Sequence, residues 1–123
     1  MILLLGVSLA GAVGAPTRYL LDVFVQERAR GVFPSGTFLI NVSGSFLLGL
    51  VTGLALHHGL GPVPKTLLGT GFCGAYTTFS TFSYETVRLV EDNALVEAAL
   101  NVLASLSVGL LAAAAGMGVA AIA

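Results

Sequence analysis

The chain is 123 residues long, 56% hydrophobic and 9% charged, with a formal net charge of −1 and a mean hydropathy of +0.97. A soluble domain carries about a quarter charged residues, so this chain is too poor in charge to cover a surface facing water, and the membrane is its expected solvent. The lack of a basic excess argues against nucleic acid as a partner, and the single cysteine, Cys73, excludes an internal disulfide and a cysteine-cluster metal site.

Charge positions predict the spans. From Met1 to Leu21 the only formal charge is Arg18, and Gly31–Pro64, Thr66–Tyr84 and Ala98–Ala123 contain none. Each window holds an apolar run of about 18 residues or more, enough to cross ~30 Å of hydrocarbon as a helix. The runs are too long, and alternate too little, for barrel strands. The expectation is an all-α multi-pass membrane protein with spans Ile2–Leu21, Pro34–Leu56, Thr66–Val87 and Glu97–Ile122. With short connectors and no internal repeat, residues 1–123 form one four-helix transmembrane domain. Ala10, Ala12 and Ala15 resemble a cleavage region, but no Lys or Arg precedes them, so the first run reads as a span and not as a signal peptide.

The first span carries a small-residue ridge, Gly6, Ala10 and Gly14, of the kind that lets helix backbones approach closely in lipid. Arg18, followed by Tyr19, stands near its end. It either snorkels to the interface or supplies a fixed positive charge that concentrates anions at a pore mouth.

The second span reads "PSGTFLINVSGSFLLGLVTG". Helical spacing brings Thr37, Asn41, Ser45, Leu48 and Thr52 near one face, with Gly44 alongside. Ser45, Gly49 and Gly53 form another small ridge. Asn41 is the costly residue, because its amide must find partners inside a bilayer. It serves either a helix–helix hydrogen bond or an anion.

The third span holds the stretch "GFCGAYTTFSTFSYE", Gly71–Glu85. Gly69, Gly71 and Gly74 match G-x-G-x-x-G, with Glu91 downstream, but a dinucleotide site needs a strand before the glycines within a soluble βαβ unit. Here a Pro-rich loop precedes them. The glycines instead predict a helix broken mid-span, whose freed carbonyls can hold a cation. Beyond the break Phe79, Phe82 and Ser83 would share one face, and Thr77, Thr81 and Glu85 the opposite one. Phenyl edges are electropositive and can meet a small anion without a fixed charge trapping it. An ionisable residue such as Glu85 in a span is a functional candidate.

In the fourth span Asn101, Ser105, Gly109, Ala112 and Gly116 share a polar or small face, and Ser107 points elsewhere. Gly109, Ala113 and Met117 begin a small ridge that Met117 does not hold. The loops carry Arg28, Arg30 and Arg88 on one side and Lys65, His57 and His58 on the other. That bias is weak for fixing orientation, so insertion either way up, and an antiparallel dimer, are expected.

At these residues a family resemblance enters. "PSGTFLINVSGSFLLG" (Pro34–Gly49) and "GFCGAYTTFSTFSYE" resemble signatures of the Fluc (CrcB) fluoride channels of microbial membranes, and Gly14–Tyr19 and the four-helix layout agree. The resemblance implies a dual-topology antiparallel homodimer with two pathways that passively exports fluoride across a prokaryotic cell (inner) membrane. It implies a central structural sodium ion held by backbone carbonyls of Gly74 and Thr77, and no organic cofactor. The family's pore phenylalanines match Phe79 and Phe82, its asparagine Asn41, its hydroxyls Ser80 and Thr81, its glutamate Glu85 and its arginine Arg18. Thr37 and Ser105 match polar residues along the ion's path. Asn101 departs from the tyrosine that many members carry.

Rival readings fit less of the sequence. A small dual-topology multidrug or cation exporter needs an early membrane-embedded carboxylate, which Ile2–Leu21 lacks. An enzyme is not expected, since His57 and His58 lie outside the spans and no nucleophile–base pair is apparent.

Overall fold

The computed structural model describes residues 1–123. Helices α1 (Ile2–Arg28) and α2 (Ser35–His57) are followed by a third element built in pieces: α3 (Pro62–Thr66), a π-helical stretch (Leu67–Cys73) and α4 (Gly74–Tyr76). Two extended residues follow, then α5 (Phe79–Glu91) and α6 (Leu95–Ile122); there is no strand. Three helices, α1, α2 and α6, are long and apolar enough to cross a membrane.

The chain is inverted relative to a soluble protein. Long apolar side chains such as Leu4, Leu5 and Leu9 of α1, and Leu103, Leu110 and Leu111 of α6, point outward. Small residues occupy the helix interfaces instead. In water this distribution would expose several helix-long apolar faces; in lipid it leaves only close packing between helices to be satisfied. The chain is a multi-pass membrane protein.

Two ridge-on-ridge contacts organise the bundle. The ridge of α1 lies on the π-helical stretch: Gly6 meets the Leu67 side chain, Ala10 meets Gly71, and Gly14 meets the Phe72 carbonyl and Ala75. The ridge of α2 lies on α6, its most extensive partner: Ser45 faces Gly109, Gly49 the Ala113 backbone, and Gly53 the Met117 backbone and Ala120. Both members advance four residues per step, so each pair of helices runs parallel. A Cβ at Gly49 would overlap the Ala113 carbonyl, and one at Gly116 the Phe46 carbonyl. Only glycine permits that approach.

Two expectations are corrected here. The first helix runs seven residues past Leu21, so Asp22 and Glu27 belong to it. It persists because the run to Arg28 has no helix breaker, and Arg28 folds back over the Phe24 ring, 3.7 Å from its centroid, while donating to the Phe24 carbonyl at 3.0 Å. Charge marks where hydrocarbon ends, not where helix ends. The α6 ridge also continues through Met117, because Met117 offers its backbone, not its side chain, to Gly53.

Candidate functional site: an interrupted helix held by side chains

The third element departs from α geometry twice. In the π-helical stretch hydrogen bonds span five residues, a rare arrangement that often marks functional sites. Then Thr77 (φ −80°, ψ 161°) and Thr78 (φ −148°, ψ 121°) are extended. Two extended residues remove backbone hydrogen bonds that buried groups must replace.

Side chains from α1 and α2 replace most of them. The Thr78 N–H donates to Asn41 Oδ1 at 2.8 Å, and Asn41 Nδ2 donates to the Thr78 carbonyl at 2.9 Å. One amide thereby closes both orphan groups of one residue. Arg18 Nη1 reaches the Thr77 carbonyl at 3.4 Å. The Thr78 hydroxyl caps α5, accepting from the Thr81 N–H at 3.2 Å, and its oxygen also lies 3.1 Å from Thr81 Oγ1 and 3.4 Å from Ser80 Oγ. The Gly74 carbonyl loses what would be its donor in an unbroken helix, because the Thr78 N–H has gone to Asn41.

An open cavity of about 320 Å³ lies against this junction, with Asn41, Ser45, Gly74, Thr77, Thr78 and Phe79 in its wall. The Phe79 ring is 78% exposed, and the Phe82 ring lies 5.9 Å from it, tilted by 41°. The structure thus brings Asn41, Gly74, Thr77 and Phe79 to one chamber, with Ser80, Thr81 and Phe82 on the first turn beyond it.

Other candidates lie apart. Thr37, 2% exposed, donates to Glu85 Oε1 at 2.8 Å, joining α2 to α5 away from the chamber. The second carboxylate oxygen of Glu85 is buried without a partner, as is Asp22 Oδ1, which sits against Gly36. Thr77 lies outside α5 and does not share a helical face with Thr81 and Glu85. Asn101, 1% exposed, donates to Thr86 Oγ1 at 2.8 Å, and Thr86 donates to the Phe82 carbonyl at 2.7 Å. Ser105 lies 3.4 Å from Asn101 Oδ1. The Asn101–Gly116 face of α6 packs on its neighbours, with Gly109 and Gly116 against α2 and Asn101 against α5.

Several residues here escaped the sequence reading. Thr78 carries the cap, a role its position before "FST" signals through the Ser/Thr preference for that site. Tyr76 donates to or accepts from Ser43 at 2.8 Å and stacks on Phe72, with centroids 5.5 Å apart. Asp22 stands one turn after Arg18, and nothing in the sequence links it to Gly36.

No three His, Cys, Asp or Glu side chains cluster in a way that could hold a metal ion. Backbone carbonyls at the interruption are among the oxygens that could meet a cation. The Gly74 oxygen, without its helical donor, fits a hard monovalent cation. The Thr77 oxygen, engaged by Arg18 only at 3.4 Å, retains a lone pair for one.

Comparison with known proteins agrees with this layout. The sequence model of the family described as "CrcB-like protein, Camphor Resistance (CrcB)" matches residues 5–117. A protein of Streptomyces avermitilis named fluoride-specific ion channel FluC 1 is 56% identical over 110 residues, covering 89% of each chain. The fluoride-specific ion channel FluC of Acidobacterium capsulatum is 48% identical over 114 residues, covering 92% of this chain and 91% of its own. That of Shewanella oneidensis is 46% identical over 104 residues, covering 85% and 84%. These matches span α1 to α6, including the interrupted element, and the chain belongs to the CrcB family.

Proposed function

We propose that this protein is a fluoride-selective passive channel of a prokaryotic cell membrane, working as an antiparallel homodimer with two pathways, and not an enzyme. The observation that carries the reading is the chamber at the interrupted helix, where Asn41, hydroxyls and a phenyl ring converge without a carboxylate. The names of its relatives supply the ion.

Fluoride is small and strongly hydrated, so a pore must replace its water with several donors and still release it. Asn41 spends one amide hydrogen on Thr78 and has a second for an anion. Ser80 and Thr81 offer hydroxyls on the next turn, and Phe79 and Phe82 offer electropositive ring edges. Thr37 of α2, Glu85 of α5 and Ser105 of α6 serve as further polar stations. Arg18, bonded to the Thr77 carbonyl, gives the chamber a positive potential from behind its wall.

In this reading Gly74 and Thr77 carbonyls of two copies hold a structural sodium ion at the dimer centre. Bound there, the ion would balance the negative ends of those carbonyls and tie the two interrupted helices together.

The exporter reading gains one observation, because α1 carries Asp22 and its buried Oδ1 has no partner. A single experiment separates the two. Purified protein is reconstituted into liposomes loaded with potassium fluoride, valinomycin is added, and efflux is followed with a fluoride electrode. Fluoride efflux far above chloride efflux, without a pH gradient, is expected. No efflux, or equal chloride efflux, refutes the channel. Phe82→Ile should cut the flux while the protein elutes as a folded species.

A further inference from the structure

Helix α2 starts without a cap of its own. Its N-cap is Pro34, which makes no side-chain hydrogen bond, and its first turn holds no acidic residue. The Ser35 N–H donates to the Phe33 carbonyl at 2.8 Å, but no carbonyl accepts from the N–H of Gly36 or Thr37. Both residues are buried. Two dry donors at the positive end of a 23-residue helix suit an anion.

A side chain of α1 stands there. Asp22 Oδ1 occupies the place that a Gly36 Cβ would need, with the Asp22 carboxyl carbon 3.2 Å from that position. Oδ1 is buried and has no hydrogen-bond partner. The two arginines of α1 are engaged elsewhere, Arg18 at the Thr77 carbonyl and Arg28 at the Phe24 ring and carbonyl. Asp22 therefore meets the positive end of α2 through its field, without a regular hydrogen bond. On the next residue Thr37 donates to Glu85 Oε1. Pro34 and Glu85 also line an open cavity of about 480 Å³, which gives small ions access to this end of α2.

We propose that Asp22 is a resident anion, whose carboxylate fills the donor pair at the start of α2 and denies it to the transported ion, so that fluoride passes Thr37 and Glu85 without being trapped. A pore must bind its ion weakly enough to release it, and open N–H groups beside the path would hold fluoride back. The role of Asp22 in conduction rests on the channel reading above; the filling of the donor pair does not. The competing role is a purely structural tie between α1 and α2, which would lower stability without changing the affinity for fluoride.

Current across planar bilayers is measured against fluoride concentration. Asp22→Ala vacates the donors and is expected to lower both the half-saturating concentration and the maximal current, each roughly threefold to tenfold. Asp22→Asn, which keeps an oxygen in place, should restore both. So should Asp22→Ala combined with Gly36→Ala, whose added Cβ takes the position of Oδ1. An unchanged half-saturating concentration in a conducting Asp22→Ala protein, or one that refilling does not restore, overturns the proposal. Melting in detergent gives a second measurement that does not depend on transport. At equal ionic strength, potassium fluoride in place of potassium gluconate should raise the melting temperature of Asp22→Ala more than that of the native protein or the double variant. Equal shifts overturn the proposal. If Asp22→Ala does not survive purification in gluconate, its recovery in fluoride carries the same reading, and loss in both salts refutes it. Fluoride-dependent stabilisation of Asp22→Ala in a protein that carries no current would refute the channel and leave the filled donor pair standing.

Discussion

Helix α2 has two faces that solve the same problem differently. Toward α6 it presents Ser45, Gly49 and Gly53, and the helices touch largely through backbone, with a side-chain hydrogen bond only at the end of α2, where His58 meets the Ala120 carbonyl at 2.7 Å. Toward the third element it presents Thr37, Asn41 and Ser43, each bonded to a residue across the gap. The difference follows from the partner. Helix α6 satisfies its own backbone, so shape is enough; the interrupted element does not, so α2 must bring donors and acceptors to it. Polarity in this membrane protein is spent where regular backbone ends.

That contrast is open to direct attack, and Asn41 is where the largest effect is expected. Asn41→Leu strands the N–H and the carbonyl of Thr78 together, at about 1–3 kcal/mol for each buried group left unpaired. Thermal unfolding in detergent should fall sharply and fluoride efflux should vanish. A variant as stable as the native protein would show that the junction does not depend on α2. On the opposite face, Gly49→Val drives a side chain into the Ala113 backbone, an overpacking of about 1–3 kcal/mol. Here the melting temperature should drop while the surviving folded protein keeps its efflux rate; lost efflux at unchanged stability would break the division between faces. Thr78→Val removes the cap of α5 at about 1 kcal/mol, and Thr78→Ser should restore it. The smallest effect is expected for Asn101→Ala, which cuts a hydrogen bond to Thr86 worth about 1 kcal/mol or less and leaves the junction intact; it should lower stability slightly, by the same melting assay, with little change in efflux.

Much of this was legible before any coordinates. Charge-free windows located α1, α2 and α6, because hydropathy reports the solvent a segment needs. Four-residue spacing of small residues located both ridges. Asn41 stood out because an amide in hydrocarbon requires a reason. Other features were not legible, for physical causes. Helix α1 outran Leu21 because helices continue past the hydrocarbon boundary. Met117 kept the ridge through its backbone, which side-chain size does not report. The Asn101–Thr86 bond joins residues on different helices whose rotational phase no local pattern encodes, and the burial of Asp22 against Gly36 is of the same kind. The π-helical stretch escaped too, since π and α turns use the same residue types and differ by one backbone hydrogen-bond step.

The two ridges share one further property. A pattern that repeats every four residues is nearly self-similar under a shift of one turn, about 6 Å, and by spacing alone Gly49 could sit opposite Gly109. Gly116 forbids it, because a one-turn slide brings Ala112 or Ala120 into its place, where a Cβ would overlap the Phe46 carbonyl. Two hydrogen bonds mark the same alignment, His58 Nε2 with the Ala120 carbonyl and the Asn101 amide with Thr86. A repetitive surface takes its unique register from the few positions that break its repeat.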